Sequence, residues 1–205
     1  MNILYPKVIK RIIDVVFSVI GLLILSPIIF FIALLVFWDS VGPIFYRGER
    51  SGINRKVFRI FKFRTMVINA EKLGGSSTAF NDPRLTKIGK VLRKYKLDEL
   101  PQLLNIFVGD MSIVGPRPQV KKYTDIYNKE EEIILSVKPG LTDYASIEFI
   151  NLDEILGDEK VDEKYLTEIE PKKNKLRIKY VKEFNLWVDI KIIALTLIKI
   201  FKVKS

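Results

Sequence analysis

The tightest constraint on this chain is an apolar run: from Val15 to Trp38 there are 24 residues without a charge, VVFSVIGLLILSPIIFFIALLVFW. A helix rises about 1.5 Å per residue, so a run of this length is enough to cross a hydrocarbon core of ~30 Å. It exceeds the apolar core of a cleaved signal peptide, about 7–15 residues, and no small-residue cleavage site follows it. A helix inside a water-soluble core is seldom apolar on every face for so long. Two features complicate a straight crossing. Pro27 lacks a backbone donor and disfavours helical geometry at Ser26, which predicts a bend there, with the Ser26 hydroxyl available to a freed carbonyl. Basic residues flank both ends, Lys7, Lys10 and Arg11 before, and Arg47, Arg50, Arg55, Lys56 and Arg59 after, so the positive-inside rule assigns both flanks to the cytoplasm. A re-entrant helix broken at Ser26-Pro27 meets both observations, and a straight span stays open beside it.

With no cysteine and no histidine in 205 residues, there is no disulfide framework, no thiolate nucleophile, no Cys-ligated zinc and no imidazole base. Nucleophilic or acid-base chemistry falls to Asp, Glu, Lys, Tyr, Ser or Thr. The net charge of +10 is distributed in blocks. Residues 47–96 hold 14 basic and 3 acidic residues, residues 125–170 hold 4 and 14, and residues 171–205 hold 10 and 2. A basic middle and a basic tail point to a polyanionic partner: an anionic membrane surface, a phosphorylated substrate or nucleic acid.

Beyond the apolar run, Gly42-Pro43 marks a turn, and IFYRGERSGINRKVFRIFKFRTM reads as two short strands around Ser51-Gly52-Ile53-Asn54. In the second strand Phe61 and Phe63 alternate with Lys62 and Arg64, giving one apolar face and one cationic face; on the residues alone the cationic face is a solvated one. Gly74 to Ser77 and Asn81-Asp82-Pro83 mark the stretch 67–83 as a loop with room to move. A helix is expected from Thr86, with Ile88, Val91, Leu92 and Tyr95 on one side. Another is expected at Pro101, with Leu100, Leu103 and Leu104 as core contacts. Asp98 and Glu99 then stand at a helix start, where an anion is favoured and Asp98 is expected to stay ionised with a lowered pKa. Such a pair is more often a cap than a catalyst, but the adjacent basic window shifts that balance. In GDMSIVGPRP, residues 109–118, Arg117 lies between two prolines whose rings restrict the backbone. Its planar guanidinium is thereby presented with little conformational freedom, as phosphate oxygens require. The tail LWVDIKIIALTLIKIFKVK has apolar residues at helical spacing with Lys191, Lys199, Lys202 and Lys204 among them, the pattern of an amphipathic interfacial helix or of an ordinary packing helix.

Taken in order, these elements resemble the monotopic phosphoglycosyl transferases, the bacterial sugar transferase family that acts on polyprenol phosphate. The likeness is carried by the apolar helix with Ser26-Pro27, FKFRTM (61–66), NDPRLTKIGKVLRKYKLDELPQL (81–103), GDMSIVGPRP (109–118) and KPGLT (138–142). Their order and spacing, over nearly the whole chain, are more specific than any one motif. The resemblance implies an α/β, α-rich fold: a re-entrant membrane helix hairpin over residues 1–40 and a compact cytoplasmic catalytic domain over 41–205 with interfacial amphipathic helices. The place implied is the cytoplasmic face of the bacterial inner membrane. The reaction implied is transfer of a phosphosugar from a UDP-sugar to polyprenol (undecaprenyl) phosphate with release of UMP. It runs through a covalent phosphosugar on Asp98 and is the first membrane step of glycoconjugate synthesis. Glu99 is the dyad partner, holding the metal or handling the acceptor proton. Mg²⁺ is the implied cofactor, with Asp98 near it, and Lys62, Arg93 and Arg117 fall on basic positions assigned to phosphate binding and leaving-group stabilisation. The implied partners are the nucleotide-sugar, polyprenol phosphate and membrane lipids, with no nucleic acid.

The chain departs from the family after Pro-Gly, where Ile-Thr-Gly-Trp-Ala-Gln is common and Leu141-Thr142-Asp143-Tyr144-Ala145-Ser146 stands here, followed by an acidic stretch to Glu170. That departure touches sugar specificity rather than phosphate chemistry. Two other functions compete: a glycosyl transferase that passes the bare sugar to lipid and releases UDP, and a non-catalytic membrane scaffold that binds anionic lipid through residues 47–96. Neither accounts for Asp98-Glu99 beside Arg93 and Arg117.

Overall fold

The apolar run forms the centre of helix α1, Lys10–Asp39, entered through a π-helical turn at Tyr5–Ile9. The computed structural model describes residues 5–73, 82–157 and 160–203, and its fold is α-rich, with small two-stranded sheets and this one long apolar helix. By length and composition α1 is able to cross a membrane. Its helical assignment continues through Pro27. Pro27 removes the donor that the Leu23 carbonyl would otherwise receive, and the Ser26 hydroxyl donates to that carbonyl at 2.8 Å, the expected compensation.

One stripe of α1 faces the rest of the protein. Arg11 donates to the carbonyls of Ile106 and Phe107 at 2.6 and 2.7 Å, and Asp14 accepts from the Ser112 hydroxyl and the Ile113 N–H at 3.0 and 2.9 Å. Ser18 is buried, and Gly21 lies against Leu103. In the second half, Ile32 and Val36 pack with Phe63 and Leu92, and Asp39 accepts from the Ile88 N–H at 3.1 Å. Steps of three and four residues keep these positions on one face. Both halves of α1 therefore dock on the same folded body. Away from that stripe the helix exposes hydrocarbon, including Phe17, Leu23, Phe30, Phe31, Phe37 and Trp38.

The two expected strands form two short antiparallel pairings. β1 (Phe45–Tyr46) pairs with β4 (Lys62–Phe63), and β2 (Glu49–Ser51) pairs with β3 (Val57–Arg59) across a turn in which Asn54 and Arg55 have left-handed backbone, φ 51° and 62°. The cationic face is not simply solvated, as the sequence suggested. Arg64 is buried and donates to the Ser40 and Val41 carbonyls at 2.6 and 3.0 Å, which fastens the end of α1, while Lys62 is taken up by the site described below. After α2 (Ala70–Leu73), residues 74–81, the centre of the expected loop, lie outside the described residues. The helix expected from Thr86 is α3, Lys87–Lys94, with the Thr86 hydroxyl accepting from the Gly89 N–H as its cap.

α4 (Gln102–Val108) leads to β5 (Ser112–Val114), which runs parallel to β6 (Gly140–Thr142); between them lies α5 (Lys121–Thr124). The acidic stretch forms α6 (Tyr144–Glu148), α7 (Leu152–Leu156) and α8 (Val161–Lys164), and the basic tail forms α9 (Glu170–Glu183) and α10 (Leu186–Val203). α10 combines both readings of the tail. Ile192 belongs to a core cluster with Val114, Tyr180 and Val181, while Trp187, Ile190, Leu197 and Ile198 remain exposed. A buried carboxylate, Asp189, ties α10 to the start of α1: it accepts from the Tyr5 and Tyr180 hydroxyls at 2.5 and 2.8 Å and pairs with Lys10.

Candidate active site

Three short backbone segments converge beside α1. Strand alternation turns Phe63 into the cluster with Ile32 and Val36 and leaves Lys62 on the opposite side of β4. Asp98 and Glu99 occupy a single 3-10 turn, Leu97–Glu99, entered through Lys96 in the left-handed region at φ 56°. Leu97 and Leu100, on either side of the dyad, pack on the same cluster as Ile32 and Val36, so hydrophobic contacts with the membrane-competent helix hold the dyad in place. Arg117 arrives from β5. A Cβ on Gly140 would stand 2.1 Å from the Gly115 nitrogen, and one on Gly115 would stand 2.5 Å from the Lys138 carbonyl oxygen. The glycines of the GPRP and KPG motifs thus allow two backbones to approach where any side chain would separate them.

Glu99 Oε1 accepts from Lys62 Nζ at 2.8 Å and from the Arg117 guanidinium. Lys62 Nζ also stands 3.7 Å from Asp98 Oδ2. Arg117 is held at three points, donating through Nη1 to the Leu141 carbonyl at 3.2 Å, through Nη2 to Glu99, and through its backbone N–H to Asp143 Oδ2 at 3.3 Å. The two carboxylates therefore differ. For Glu99, burial alone would raise the pKa, but Arg117 and Lys62, through charge and hydrogen bonds, hold it well below the usual carboxylate range. For Asp98, only 4 % exposed, burial raises the pKa, Lys62 opposes this and the Glu99 charge reinforces it. This corrects the expectation of a lowered Asp98 pKa: removal from water outweighs the local field of the helix start. Among the described residues nothing donates a hydrogen bond to the Asp98 carboxylate.

Arg93, on α3, contributes to the field that favours ionised Asp98, and its buried Nη1 has no hydrogen-bond partner among the described residues. Lys62, Asp98, Glu99 and Arg117 are thus brought together, with Arg93 near them as an uncommitted cation. Ser26 and Pro27 lie apart from them, exposed on α1. Among the described residues no three acidic side chains gather in one place. Mg²⁺ is commonly held by one or two carboxylates, with substrate phosphates and water completing the shell, so the uncommitted Asp98 carboxylate suits it.

Asp143 belongs to the departure from the family pattern that touches sugar specificity. Here it is fully buried and serves as a positioning residue, accepting from the Ser146 N–H and hydroxyl at 2.6 Å as the cap of α6 while it holds Arg117. Its signal was the departure from the family at that position. Lys173 and Arg177 were missed altogether, because a basic helix reads as a solvated one. Both are buried: Arg177 donates to Glu170 Oε1 at 2.8 Å, and Lys173 lies 5.2 Å from the Tyr165 ring centroid and 5.7 Å from that of Phe149.

Burial first, and then the Arg177 charge, push the Lys173 ammonium down to about 7. The unfolded lysine titrates near ~10.4, so between about pH 7 and ~10.4 the unfolded chain binds a proton that the folded chain does not, and stability rises with pH. Lys173→Met removes this contribution. The variant is expected to exceed the wild type in thermal stability most clearly below pH 7, with the gap shrinking between pH 7 and 9; a gap independent of pH would show that Lys173 titrates normally.

Comparison with known proteins shows the family. Residues 5–203 match the family described as bacterial sugar transferase, and the chain belongs to it. It is 37% identical over 203 residues to a UDP-glucose:undecaprenyl-phosphate glucose-1-phosphate transferase of Escherichia coli (strain K12), covering 97% of this chain and 41% of the relative. It is 33% identical over 194 residues to a UDP-N-acetylgalactosamine-undecaprenyl-phosphate N-acetylgalactosaminephosphotransferase of Aeromonas hydrophila, covering 92% of this chain and 43% of the relative. It is also similar to the exopolysaccharide production protein ExoY of Sinorhizobium fredii, with 41% identity over 148 residues, covering 65% of this chain and 66% of the relative. The chain spans about two fifths of the length of the first two.

Proposed function

We propose that this protein transfers a sugar-1-phosphate from a UDP-sugar to undecaprenyl phosphate, with Asp98 as the nucleophile. The observation that carries this reading is the asymmetry of the dyad: Glu99 is clamped by Lys62 and Arg117, while Asp98 is buried and has no hydrogen-bond partner among the described residues. A poorly solvated carboxylate is a better nucleophile than a hydrated one, and a phosphoryl group supplies an electrophile whose anionic oxygens suit the surrounding cations. Relatives named as undecaprenyl-phosphate sugar-1-phosphate transferases support the substrate pair.

In the first step an Asp98 Oδ–phosphorus bond forms at the sugar-bearing β-phosphate and the bond to the bridging oxygen breaks, its electron pair leaving on the α-phosphate of UMP. In the second, an oxygen of undecaprenyl phosphate attacks the same phosphorus, forming the diphosphate and returning the electron pair to the Asp98 carboxylate. Arg93 offers its free guanidinium edge to the phosphates. Lys62 and Arg117 hold Glu99 ionised and contribute positive charge where the leaving oxygen becomes anionic. Mg²⁺, when bound, supplies further neutralisation of phosphate charge near Asp98.

The lipid acceptor keeps its chain in the bilayer, so the dyad must lie at the membrane surface. The docking of both halves of α1 on the catalytic body, the exposed hydrocarbon on its other side and the basic flanks at both ends support a re-entrant helix turning near Ser26-Pro27, with the dyad on the cytoplasmic face. The exposed apolar row of α10 supports its lying in the same interface. The test is nucleotide release by the detergent-solubilised protein with Mg²⁺, undecaprenyl phosphate and a panel of UDP-sugars. UMP from one donor is expected; UDP would instead indicate transfer of the bare sugar, and neither nucleotide would leave the chain as a lipid-binding scaffold.

A further inference from the structure

The dyad continues as a ridge of polar side chains along one helical face. After the 3-10 turn, Leu100 and Pro101 keep helical backbone (φ −52°, ψ −39° and φ −63°, ψ −13°), and α4 begins at Gln102. Gln102 therefore stands four residues after Asp98 and three after Glu99, with Asn105 three further on, the spacings that bring side chains over one another along a helix. Asn105 is fully used: its Oδ1 accepts from the Phe61 N–H at 2.7 Å and its Nδ2 donates to the Arg59 carbonyl at 3.0 Å, so this face meets the strand segment that carries Lys62. Gln102, one turn closer to the dyad, is 1 % exposed, and among the described residues neither its Oε1 nor its Nε2 has a hydrogen-bond partner.

Burying an amide without partners is less favourable than burying hydrocarbon of the same size, and folded proteins rarely leave both of its polar atoms unpaired. A partner that arrives with the substrate accounts for it. We infer that Gln102 is a substrate-binding residue of the Asp98-Glu99 site, its Nε2–H donating to a nonbridging oxygen of the phosphoryl group that comes to Asp98. This rests on the proposed phosphosugar transfer and extends it. The phosphoryl group belongs to the donor diphosphate in the first step and to the acceptor phosphate in the second, and the test separates these sources.

Gln102→Met keeps the volume and removes the amide. In the absence of ligand the variant is expected to unfold at the same temperature as the wild type or higher, since an unpaired polar group has been removed. The rise in unfolding temperature produced by UDP-sugar with Mg²⁺, or by undecaprenyl phosphate, is expected to shrink, with the affected ligand naming the source. kcat/KM for UMP release is expected to fall about 10- to 100-fold, the scale of one hydrogen bond to a charged group. Gln102→Glu, which sets an anion against the phosphate, is expected to lose more and gives a second variant should Met fold poorly. Wild-type ligand shifts and wild-type kcat/KM in both variants would overturn the inference, as would a ligand-free Gln102→Met protein several degrees less stable than wild type, which would reveal a partner within the fold. Absence of UMP release by the wild type would instead overturn the proposed function on which the inference rests.

Discussion

Asp98→Asn is expected to abolish phosphosugar transfer, lowering kcat by about a thousandfold or more, while leaving the protein as stable as the wild type or more so. The first half follows from chemistry: the neutral amide has no anionic oxygen with which to form the phosphorus bond, and loss of a nucleophile removes a whole two-step path rather than one stabilising contact. The second half follows from the site. Asp98 is buried, its charge is disfavoured there, and among the described residues it has no hydrogen bond to lose on replacement. Most substitutions of buried polar groups lower stability, so a variant that is inactive yet undiminished in thermal unfolding is a signature of a residue held for chemistry. UMP release and unfolding temperature measured on the same preparation check both halves. Activity near wild type would remove Asp98 from the mechanism, and a large loss of stability would make it a structural residue.

Glu170→Leu is expected to produce the largest change in stability, for the opposite reason. The Arg177 side chain is 1 % exposed and its guanidinium rests on Glu170 and Asn174, with Lys173 close by. Without Glu170 the buried Arg177 guanidinium loses its paired carboxylate, and the neighbouring Lys173 ammonium is pushed further toward its neutral form. Breaking one side of such a pair costs about 3–5 kcal/mol, which for a chain of this size lowers the unfolding temperature by roughly 6–20 °C. Replacing both members, Glu170→Leu with Arg177→Met, should recover most of the loss, because the pair itself gains little over well-packed hydrocarbon. A single substitution costing under about 1 kcal/mol would mean that water already reaches Arg177.

Local signals were legible where they are short in range. The cap at Thr86, the turn around Ser51 to Asn54, the alternation of Lys62 with Phe63 and the constraint on Arg117 each depend on a few adjacent residues, and each has its counterpart in the fold. Signals that depend on distant neighbours were misread. The cationic strand face reads locally as solvated, yet Arg64 closes on the end of α1. Asp98 was expected to have a lowered pKa from its place at a helix start, yet its burial beneath the rest of the site decides the direction. Lys173, Gln102 and Arg177 look in the sequence like ordinary helix-surface residues, and only their surroundings reveal otherwise.

The sequence by itself determined that this chain has a membrane-competent helix, that any nucleophilic or acid-base chemistry must fall to residues other than Cys and His, and which carboxylates and cations are the candidates for it. These are matters of composition, and of spacing along a backbone whose geometry is fixed. Only the tertiary structure decided that Glu99 is charge-paired while Asp98 has no hydrogen-bond partner among the described residues, that Asp143 steadies Arg117 and that Gln102 is buried with no partner among them. Solvent exclusion and electrostatic pairing are set by contacts between segments far apart in the chain, and no local pattern encodes how much water each group loses.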